Sequence, residues 1–494
     1  MTALIDRPLP AAPAEPARCD PAEETYRRER IAHWDAVARR WEGRPGLAGA
    51  YHRRLERVYR HQVPPGLRVL EVGCATGDLL AALEPAVGVG IDFSDEMVRR
   101  AAGRHSGLRF LAADAHDLSA LAGETFDVVI LSDLINDAWD VQRLLGQIAP
   151  LATRRTRVIL NFYSRLWELP LALAQRLGLA RPFLLQNWLT LGDVENLLRL
   201  AGFQTIRKTQ EVLLPLSIPL LAPFCNRVLA RLWPFRHLCL SNLVVARPAP
   251  RPLPAEPVVS VVVPARNEEG NIANIFARTP EMGAGTELIF VEGHSTDATW
   301  EAIGREMGTH PQRRAVAFRQ TGKGKGDAVR LGFAQASGDV LMILDADLTV
   351  PPEDLPRFYE VLRSGAGEFV NGVRLVYPME KEAMRFANLL GNKFFSLAFS
   401  WLLGQRIKDT LCGTKVLRRP DYETLAANRS HFGDFDPFGD FDLLFGAAKL
   451  SLEIVEVPVR YRERTYGTTN IQRWSHGWLL LKMCAFAAGR IKFI

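Results

Sequence analysis

The chain has 494 residues, of which 48% are hydrophobic and 23% charged, proportions that exclude a disordered, collagen-like or small disulfide-stapled protein. The length asks for more than one domain, because single cores rarely grow beyond about 300 residues. With 61 basic against 55 acidic residues the formal charge is +6, a mixed surface that selects no partner by itself.

In chain order, residues 1–21 are rich in Pro and Ala and have no continuous apolar stretch after a basic start, so they read as a disordered lead-in rather than a secretory signal. Helical patterns follow at Glu24–Trp41 and Gly46–His61. Their basic residues, Arg27 to Arg60, are interleaved with Glu29, Asp35, Glu42 and Glu56, which predicts a mixed-charge solvated face and not a nucleic-acid surface. Strand-like stretches at Leu67–Val72, Gly88–Asp92, Leu108–Ala112, Phe126–Ser132 and Arg157–Phe162 alternate with helices, which predicts a parallel doubly wound sheet. Five prolines between Ala246 and Pro257 deny that stretch a helix or a central strand, so residues 248–257 are predicted to be a linker. Beyond it the pattern restarts with Val258–Val263, Leu288–Val291, Ala315–Arg319 and Val340–Leu344. The expectation is two doubly wound α/β domains, 22–247 and 258–494, with different loop chemistries. Six cysteines stand far apart with no Cys-x-x-Cys pair, which suggests neither a zinc site nor a disulfide framework and fits a reducing, cytoplasmic setting.

Val69-Leu-Glu-Val-Gly-Cys-Ala-Thr-Gly-Asp78 places Gly73 and Gly77 where a buried strand turns into a helix, so the backbone can approach a nucleotide-like ligand. About 20 residues on, Asp92 ends the next strand, where a carboxylate can accept both hydroxyls of a ribose, and Asp114 ends the third. From about Gly66 to Arg247 the chain resembles class I S-adenosylmethionine-dependent methyltransferases, and Glu71, Gly73, Gly77, Asp92 and Asp114 match the family's cofactor positions, with Ala75 in place of a common glycine. The resemblance implies a Rossmann-like fold and S-adenosylmethionine as cofactor. Methyl transfer from a sulfonium relies on orientation and needs no fixed catalytic residue. A hydroxyl acceptor would give up its proton to Asp133 or His116.

In the second half, Val261-Val-Val-Pro-Ala-Arg-Asn-Glu-Glu269 is a buried strand that ends in a polar loop, and Leu341-Met-Ile-Leu-Asp-Ala-Asp347 ends another in two carboxylates. Alternation points Asp345 and Asp347 the same way, and such oxygens suit Mg²⁺ or Mn²⁺ bridging a diphosphate. With Glu292-Gly-His-Ser-Thr-Asp297, Gly322-Lys-Gly-Lys-Gly326, Arg464 and Gly467, this stretch from about Pro257 to Ile471 resembles family-two glycosyltransferases of the GT-A fold, in the subgroup of dolichyl- and polyprenyl-phosphate glycosyltransferases. The resemblance implies a nucleotide-sugar donor held by Pro264, Asn267, Glu268 and Glu292, with Lys325, Arg374 and Arg464 near its phosphates and Asp345 and Asp347 on the metal. Glu292-Gly-His-Ser stands where the family often has Asp-Asp-Gly-Ser. His294 reads as a loop residue, having no second histidine at ligand spacing. The carboxylates of Phe432–Asp442 read as acceptor-side groups, and Asp440 and Asp442 are the candidate bases if the acceptor is a hydroxyl. The implied acceptor is a polyprenyl phosphate or a lipid-linked glycan.

No run of 18 uncharged apolar residues occurs. Three shorter stretches, Val212–Phe224 between the last two strand-like stretches of the first half, Phe394–Leu403 and Trp478–Ala488, predict a peripheral protein at the inner face of an anionic membrane, the last two through their basic flanks.

Overall fold

The computed structural model describes residues 21–39, 46–177, 184–253, 255–377, 386–429, 439–464, 466 and 473–493. The expectations for residues 1–20, for 432–438 and for Gly467 fall outside these. The chain divides into two compact units, Met1–Ala249 with Lys492–Ile494, and Pro250–Ile491.

The first unit is built on β1 (Arg68–Val72), β2 (Val87–Asp92), β3 (Arg109–Ala112), β4 (Phe126–Ser132), β5 (Ala152–Tyr163), β6 (Phe203–Glu211) and β7 (Ser241–Pro248). They form one sheet in the order β3-β2-β1-β4-β5-β7-β6. Alternate side chains enter two cores. Leu70, Val72, Val129 and Leu131 pack on one face, and Val69, Val128 and Ile130 on the other with Tyr51, Leu55 and Tyr59 of helix Gly46–Gln62. Burial on both faces is why these strands read as continuous apolar runs.

The second unit repeats the plan with β8 (Val259–Ala265), β9 (Thr286–Glu292), β10 (Arg314–Arg319), β11 (Val340–Ile343), β12 (Phe369–Val373), β13 (Lys415–Arg418) and β14 (Ile454–Pro458), in the order β10-β9-β8-β11-β13-β12-β14. Val262, Leu341 and Ile343 face one core, and Val261, Val263 and Met342 the other.

Three expectations need correction. Neither sheet is wholly parallel: β7 runs antiparallel to β5 and β6, and β13 antiparallel to β11 and β12. The Pro-rich stretch also contributes to a strand, because β7 continues to Pro248, which is paired with Phe203 at the strand's end, where its missing N–H costs little. Finally, the helices at Arg27–Arg60 are more than a solvated face. Arg30 and Arg54 are buried, with Asp137 and Glu211 as their carboxylate partners.

Candidate active sites of the two units

In the first unit the candidate site lies past the ends of β1 and β4, sheet neighbours at the point where strand order reverses, which is where open α/β sheets bind ligands. Glu71 on β1 is buried, and its Oε2 accepts the Leu80 N–H at 3.1 Å, which fastens helix Asp78–Ala82 to the strand. Gly73 and Gly77 bracket the turn at φ 78° and 72°, conformations in which side chains are strained. Ala75 takes the same region, at φ 46°, despite its Cβ. The reason is visible: Asp92 Oδ2 at the end of β2 accepts the Ala75 N–H at 2.9 Å, and Oδ1 accepts the Ser94 N–H at 3.0 Å. Burial pushes the Asp92 carboxyl up to about 6, against the pull of these amides. Each carboxylate oxygen retains room for a second hydrogen bond, so the group fits a ribose diol.

Asp114 follows β3 and accepts both the backbone N–H of His116, at 2.9 Å, and its Nδ1, at 2.7 Å. Burial raises this carboxyl, but the His116 bonds and the Arg27 charge outweigh it and hold it below the usual range. His116 is therefore corrected as a base. Its Nδ1 donates to Asp114 and its Nε2 accepts the Asp140 N–H at 3.1 Å, so the ring is a buried brace with its lone pair engaged.

Asp133 follows β4 at φ 57°. Its Oδ1 accepts from Tyr51 Oη at 2.7 Å and from Asn161 Nδ2 at 2.5 Å, while Tyr59 Oη donates to Asn161 Oδ1 at 2.7 Å. Burial, reinforced by the Asp133 charge, pushes both tyrosine hydroxyls well above their usual range and keeps them donors. The carboxylate is thus oriented by two donors on one oxygen. Sequence reasoning placed a helix here but missed its role: residues of Pro21–Arg39 reach the ends of three strands, where Asp35 accepts from Ser94 Oγ at 2.5 Å after β2, Arg27 stands 3.7 Å from Asp114 after β3, and Arg30 stands 3.7 Å from Asp137 after β4. Nothing in its composition marked this, because the partners are distant in sequence.

In the second unit the equivalent strand ends carry dense charge. Asn267, past β8 at φ 56°, donates its N–H to Ser295 Oγ at 3.1 Å and accepts the Thr296 N–H at 2.7 Å. Glu292 closes β9 and accepts the Ser295 N–H at 2.5 Å. Pro264 lies on β8, half-buried. The next loop residue, Glu268, accepts from Asn271 at 2.7 Å and from Arg464 Nη1 at 2.9 Å. Burial lifts Glu268 to about 7, against the opposing pull of Arg464.

Beyond β11 the two aspartates are each met by a cation. Lys325 Nζ stands 2.5 Å from Asp345 Oδ1, and Arg464 Nη2 donates to Asp347 Oδ2 at 2.8 Å, so Arg464 bridges Glu268 and Asp347. Thr349 holds the other oxygen of Asp347 through its N–H, at 3.1 Å, and its hydroxyl, at 2.8 Å. Burial would raise the Asp345 carboxyl, but Lys325 holds it below its usual range. Gly413 leaves room for this pair, since a Cβ there would push the Asp345 carboxylate and the Lys325 amine aside. Among the described residues no group of three His, Cys, Asp or Glu side chains could hold an ion alone. Two hard carboxylates nevertheless suit Mg²⁺ or Mn²⁺, which commonly bind one or two protein carboxylates and complete their shell with substrate phosphates.

Other predicted groups have protein partners. Arg374 makes a two-pronged bond to buried Asp409, Nε to Oδ2 at 2.7 Å and Nη2 to Oδ1 at 2.8 Å, an intramolecular anion in place of the expected phosphate. Asp440 accepts from fully buried Lys415 at 2.8 Å, and Asp442 has Arg330 and Arg429 each 3.8 Å away. His294 Nε2 meets the Gly322 carbonyl at 3.1 Å and joins no carboxylate cluster. The Gly322–Gly326 loop is stapled by Asp327, whose Oδ2 accepts the Gly322 N–H at 3.2 Å and Gln320 Nε2 at 2.9 Å.

Residues 64–188 match the family model described as a methyltransferase domain, and residues 260–425 match Glycosyl transferase family 2. A dolichol-phosphate mannosyltransferase from Pyrococcus furiosus is 31% identical over 221 residues, 43% of this chain and 59% of that protein. An undecaprenyl-phosphate 4-deoxy-4-formamido-L-arabinose transferase from Pectobacterium carotovorum is 28% identical over 216 residues, 43% of this chain and 62% of that protein. The chain thus spans about three fifths of the length of these relatives. Among solved structures, the glucosyl-3-phosphoglycerate synthase of Mycobacterium tuberculosis aligns with 48% of this chain and 81% of its own at 22% identity and a TM-score of 0.36, too low to carry weight.

Proposed function

From a chain that carries a methyltransferase domain and a family 2 glycosyltransferase domain, we propose a bifunctional enzyme that transfers a sugar from a nucleotide-sugar to a polyprenyl phosphate or lipid-linked glycan, and a methyl group from S-adenosylmethionine. The observation that carries the sugar-transfer reading is the pairing of Lys325 with Asp345 and of Arg464 with Asp347 and Glu268. Cations and carboxylates alternating at one strand end form the complement of a metal-bound diphosphate. Asp345 and Asp347 are the residues that would hold Mg²⁺ or Mn²⁺, which would neutralise diphosphate charge. Lys325 and Arg464 face the departing diphosphate, and Asn267, Glu268 and Glu292 hold the nucleoside end.

The acceptor phosphate oxygen attacks the anomeric carbon as the bond to the diphosphate breaks, and the nucleoside diphosphate leaves with the electron pair. An ionised phosphate needs no base. The engagement of Asp440 by Lys415, and of Asp442 by two arginines, supports that acceptor over a neutral hydroxyl, as do the lipid phosphates in the relatives' names.

In the first unit Glu71, Gly73, Gly77, Asp92 and Asp114 would hold S-adenosylmethionine, which supplies an electrophilic methyl on a sulfonium. Asp92 accepts the ribose hydroxyls, and Asp133 with Tyr51 lies past β4 to orient the acceptor. The protein acts in the cytoplasm at the inner membrane face. No helix among the described residues is long and apolar enough to cross a membrane, but Leu397 and Trp478 are exposed on helices Phe386–Leu403 and Arg473–Ile491. Thermal shift of the full chain against a panel of nucleotide sugars, with and without Mn²⁺, tests the donor site. A shift by one donor that grows with Mn²⁺ is expected, and the absence of any shift would overturn the reading.

A further inference from the structure

The first unit contains a cavity of about 290 Å³ that belongs to neither strand-end site. One wall is a single face of helix Gly46–Gln62, where Ala50, Arg53, Arg54 and Arg57 fall at helical spacing. The other is the segment from Leu214 to Arg227. Arg54 is buried and built in: its Nη2 donates to Glu211 at 3.0 Å and to the Asn226 carbonyl at 3.2 Å. Asn226 in turn pairs both ways with the Leu214 backbone, at 2.9 and 2.8 Å, so the wall is fixed.

Charge and polarity divide the cavity. Four of its lining residues are arginines, Arg53, Arg54, Arg57 and Arg227, and none is acidic. The carboxylate behind them, Glu211, is already shared with Arg231 at 2.6 Å. Burial lowers the Arg54 guanidinium despite Glu211, and the charges of Arg231 and Arg57 add to that lowering. The Leu214–Arg227 wall, which also carries Arg227, is otherwise mostly apolar along 216–224 and turned to solvent as a lip. Leu216, Ile218 and Leu221 are exposed, Phe224 is 52% exposed and Leu220 is 88% exposed, at φ 63°. A second exposed apolar strip, Leu166, Leu169 and Leu173, adjoins the 235–238 turn, where Trp167 Nε1 donates to the Leu238 carbonyl at 2.9 Å. Leucines held out in this way have no core role, and exposed apolar residues clustered beside a cationic cavity mark an interaction site.

We propose that this cavity binds the phosphorylated headgroup of a membrane lipid, the arginines taking the phosphate and the apolar lip entering the acyl boundary. Guanidinium forks match phosphate oxygens in pairs, and the apolar rim selects an amphiphile over a soluble anion. The inference rests on the peripheral-membrane reading and adds to it a defined site in the methyltransferase unit, distinct from the donor and cofactor sites.

Arg53 and Arg57 are exposed, so Arg53→Gln/Arg57→Gln leaves the core and the Arg54–Glu211 pair in place. The full chain is floated with vesicles of phosphatidylcholine alone, or of phosphatidylcholine with phosphatidic acid or phosphatidylserine at matched surface charge. Native protein is expected to bind phosphatidic acid vesicles about tenfold better than phosphatidylserine vesicles, since only the former present a phosphomonoester to the arginine forks. The double variant is expected to lose that preference while still binding phosphatidylserine vesicles. Leu220→Ser is expected to weaken binding to all three alike. Equal native binding to the two anionic vesicles, or a preference that survives in the double variant, would overturn the headgroup site while leaving the membrane reading standing. Failure to bind any vesicle would overturn both, and a thermal shift from inorganic phosphate in that case would assign the cavity to a soluble anion.

Discussion

In each unit the first four strands lie in the same order, β3-β2-β1-β4 and β10-β9-β8-β11, and in each an acidic residue closes the second strand and ties down the loop chemistry beside it. Asp92 does so directly, by accepting the Ala75 N–H of the loop after β1. Glu292 does so through Ser295, whose N–H it accepts and whose hydroxyl accepts the Asn267 N–H of the loop after β8. The shared frame stops there. After β4 the first unit places a neutral donor network, Tyr51, Tyr59 and Asn161, around one carboxylate, whereas after β11 the second unit sets two aspartates against Lys325 and Arg464. A site with one carboxylate among neutral donors suits a ligand of low net charge. A site of interleaved charges suits a diphosphate. The lesson is that the frame fixes where a ligand binds and the loops fix which ligand.

The largest expected effect separates the two sites. Asp345→Ala or Asp347→Ala removes a ligand from the metal motif and takes from Lys325 its Asp345 partner or from Arg464 one of its two carboxylates, so sugar transfer should fall by about 10³-fold or more. Binding of S-adenosylmethionine, measured by calorimetry on the same preparations, should not change. Full transfer by either variant, or by native protein in excess EDTA, would end the metal-dependent mechanism.

Asp92 gives the next effect. Asp92→Ala loses two ribose bonds, each worth about 1.5–3 kcal/mol when charged and less where water substitutes. The sign of the pH dependence follows from burial. Burial raises the folded carboxyl to about 6, above its ordinary 3.8, so it is harmless below about 3.8 and destabilises the ligand-free fold progressively as pH rises from about 3.8 to about 6. Ligand binding runs the other way, since only the carboxylate accepts both hydroxyls, and affinity should fall as pH drops through about 6. Asp92→Asn should bind weakly with neither slope. Preferential binding of NADH in calorimetry would instead make this a nicotinamide site.

Much of this was legible in the sequence, because strands buried on both faces are written as apolar runs and strand-end carboxylates sit at fixed offsets from them. Phe126–Ser132 is read to the residue and Asp92 closes β2 as expected, whereas β11 stops at Ile343, so Asp345 and Asp347 stand in the loop past it and not in an alternating strand. What the sequence hid are partners brought together from afar. Asp409 takes Arg374 from 35 positions away, Lys415 takes Asp440 from 25, and Arg464 reaches Glu268 from 196. The antiparallel strands were hidden for a different reason. Direction is set by the connection rather than by the strand, and the four residues of β13, Lys415–Arg418, carry no mark of it. The helix Pro21–Arg39 was misread because a buried arginine and a solvated one look alike until the carboxylate across from it is known.

The smallest expected effect tests whether the second unit's charge is aimed at a phosphate acceptor. A sugar hydroxyl must lose its proton as it attacks, whereas a lipid phosphate is already ionised, so the two acceptors differ in their need for a base. Asp442 is the sharper probe, since Asp440 neutralises fully buried Lys415 and its replacement would leave a buried charge unpaired. Asp442→Asn keeps the shape of the side chain and removes a charge flanked by Arg330 and Arg429. With a phosphate acceptor, turnover should change by less than about tenfold, and any change should appear in the acceptor KM, because freeing two guanidiniums alters anion binding more than chemistry. A loss of about 10²-fold or more in kcat at unchanged KM would assign Asp442 as a general base and the acceptor as a hydroxyl. Asp440→Asn, judged only where circular dichroism and thermal unfolding match the native chain, supplies the control. If it loses turnover while Asp442→Asn does not, the Lys415 pair positions the site and the acceptor assignment stands.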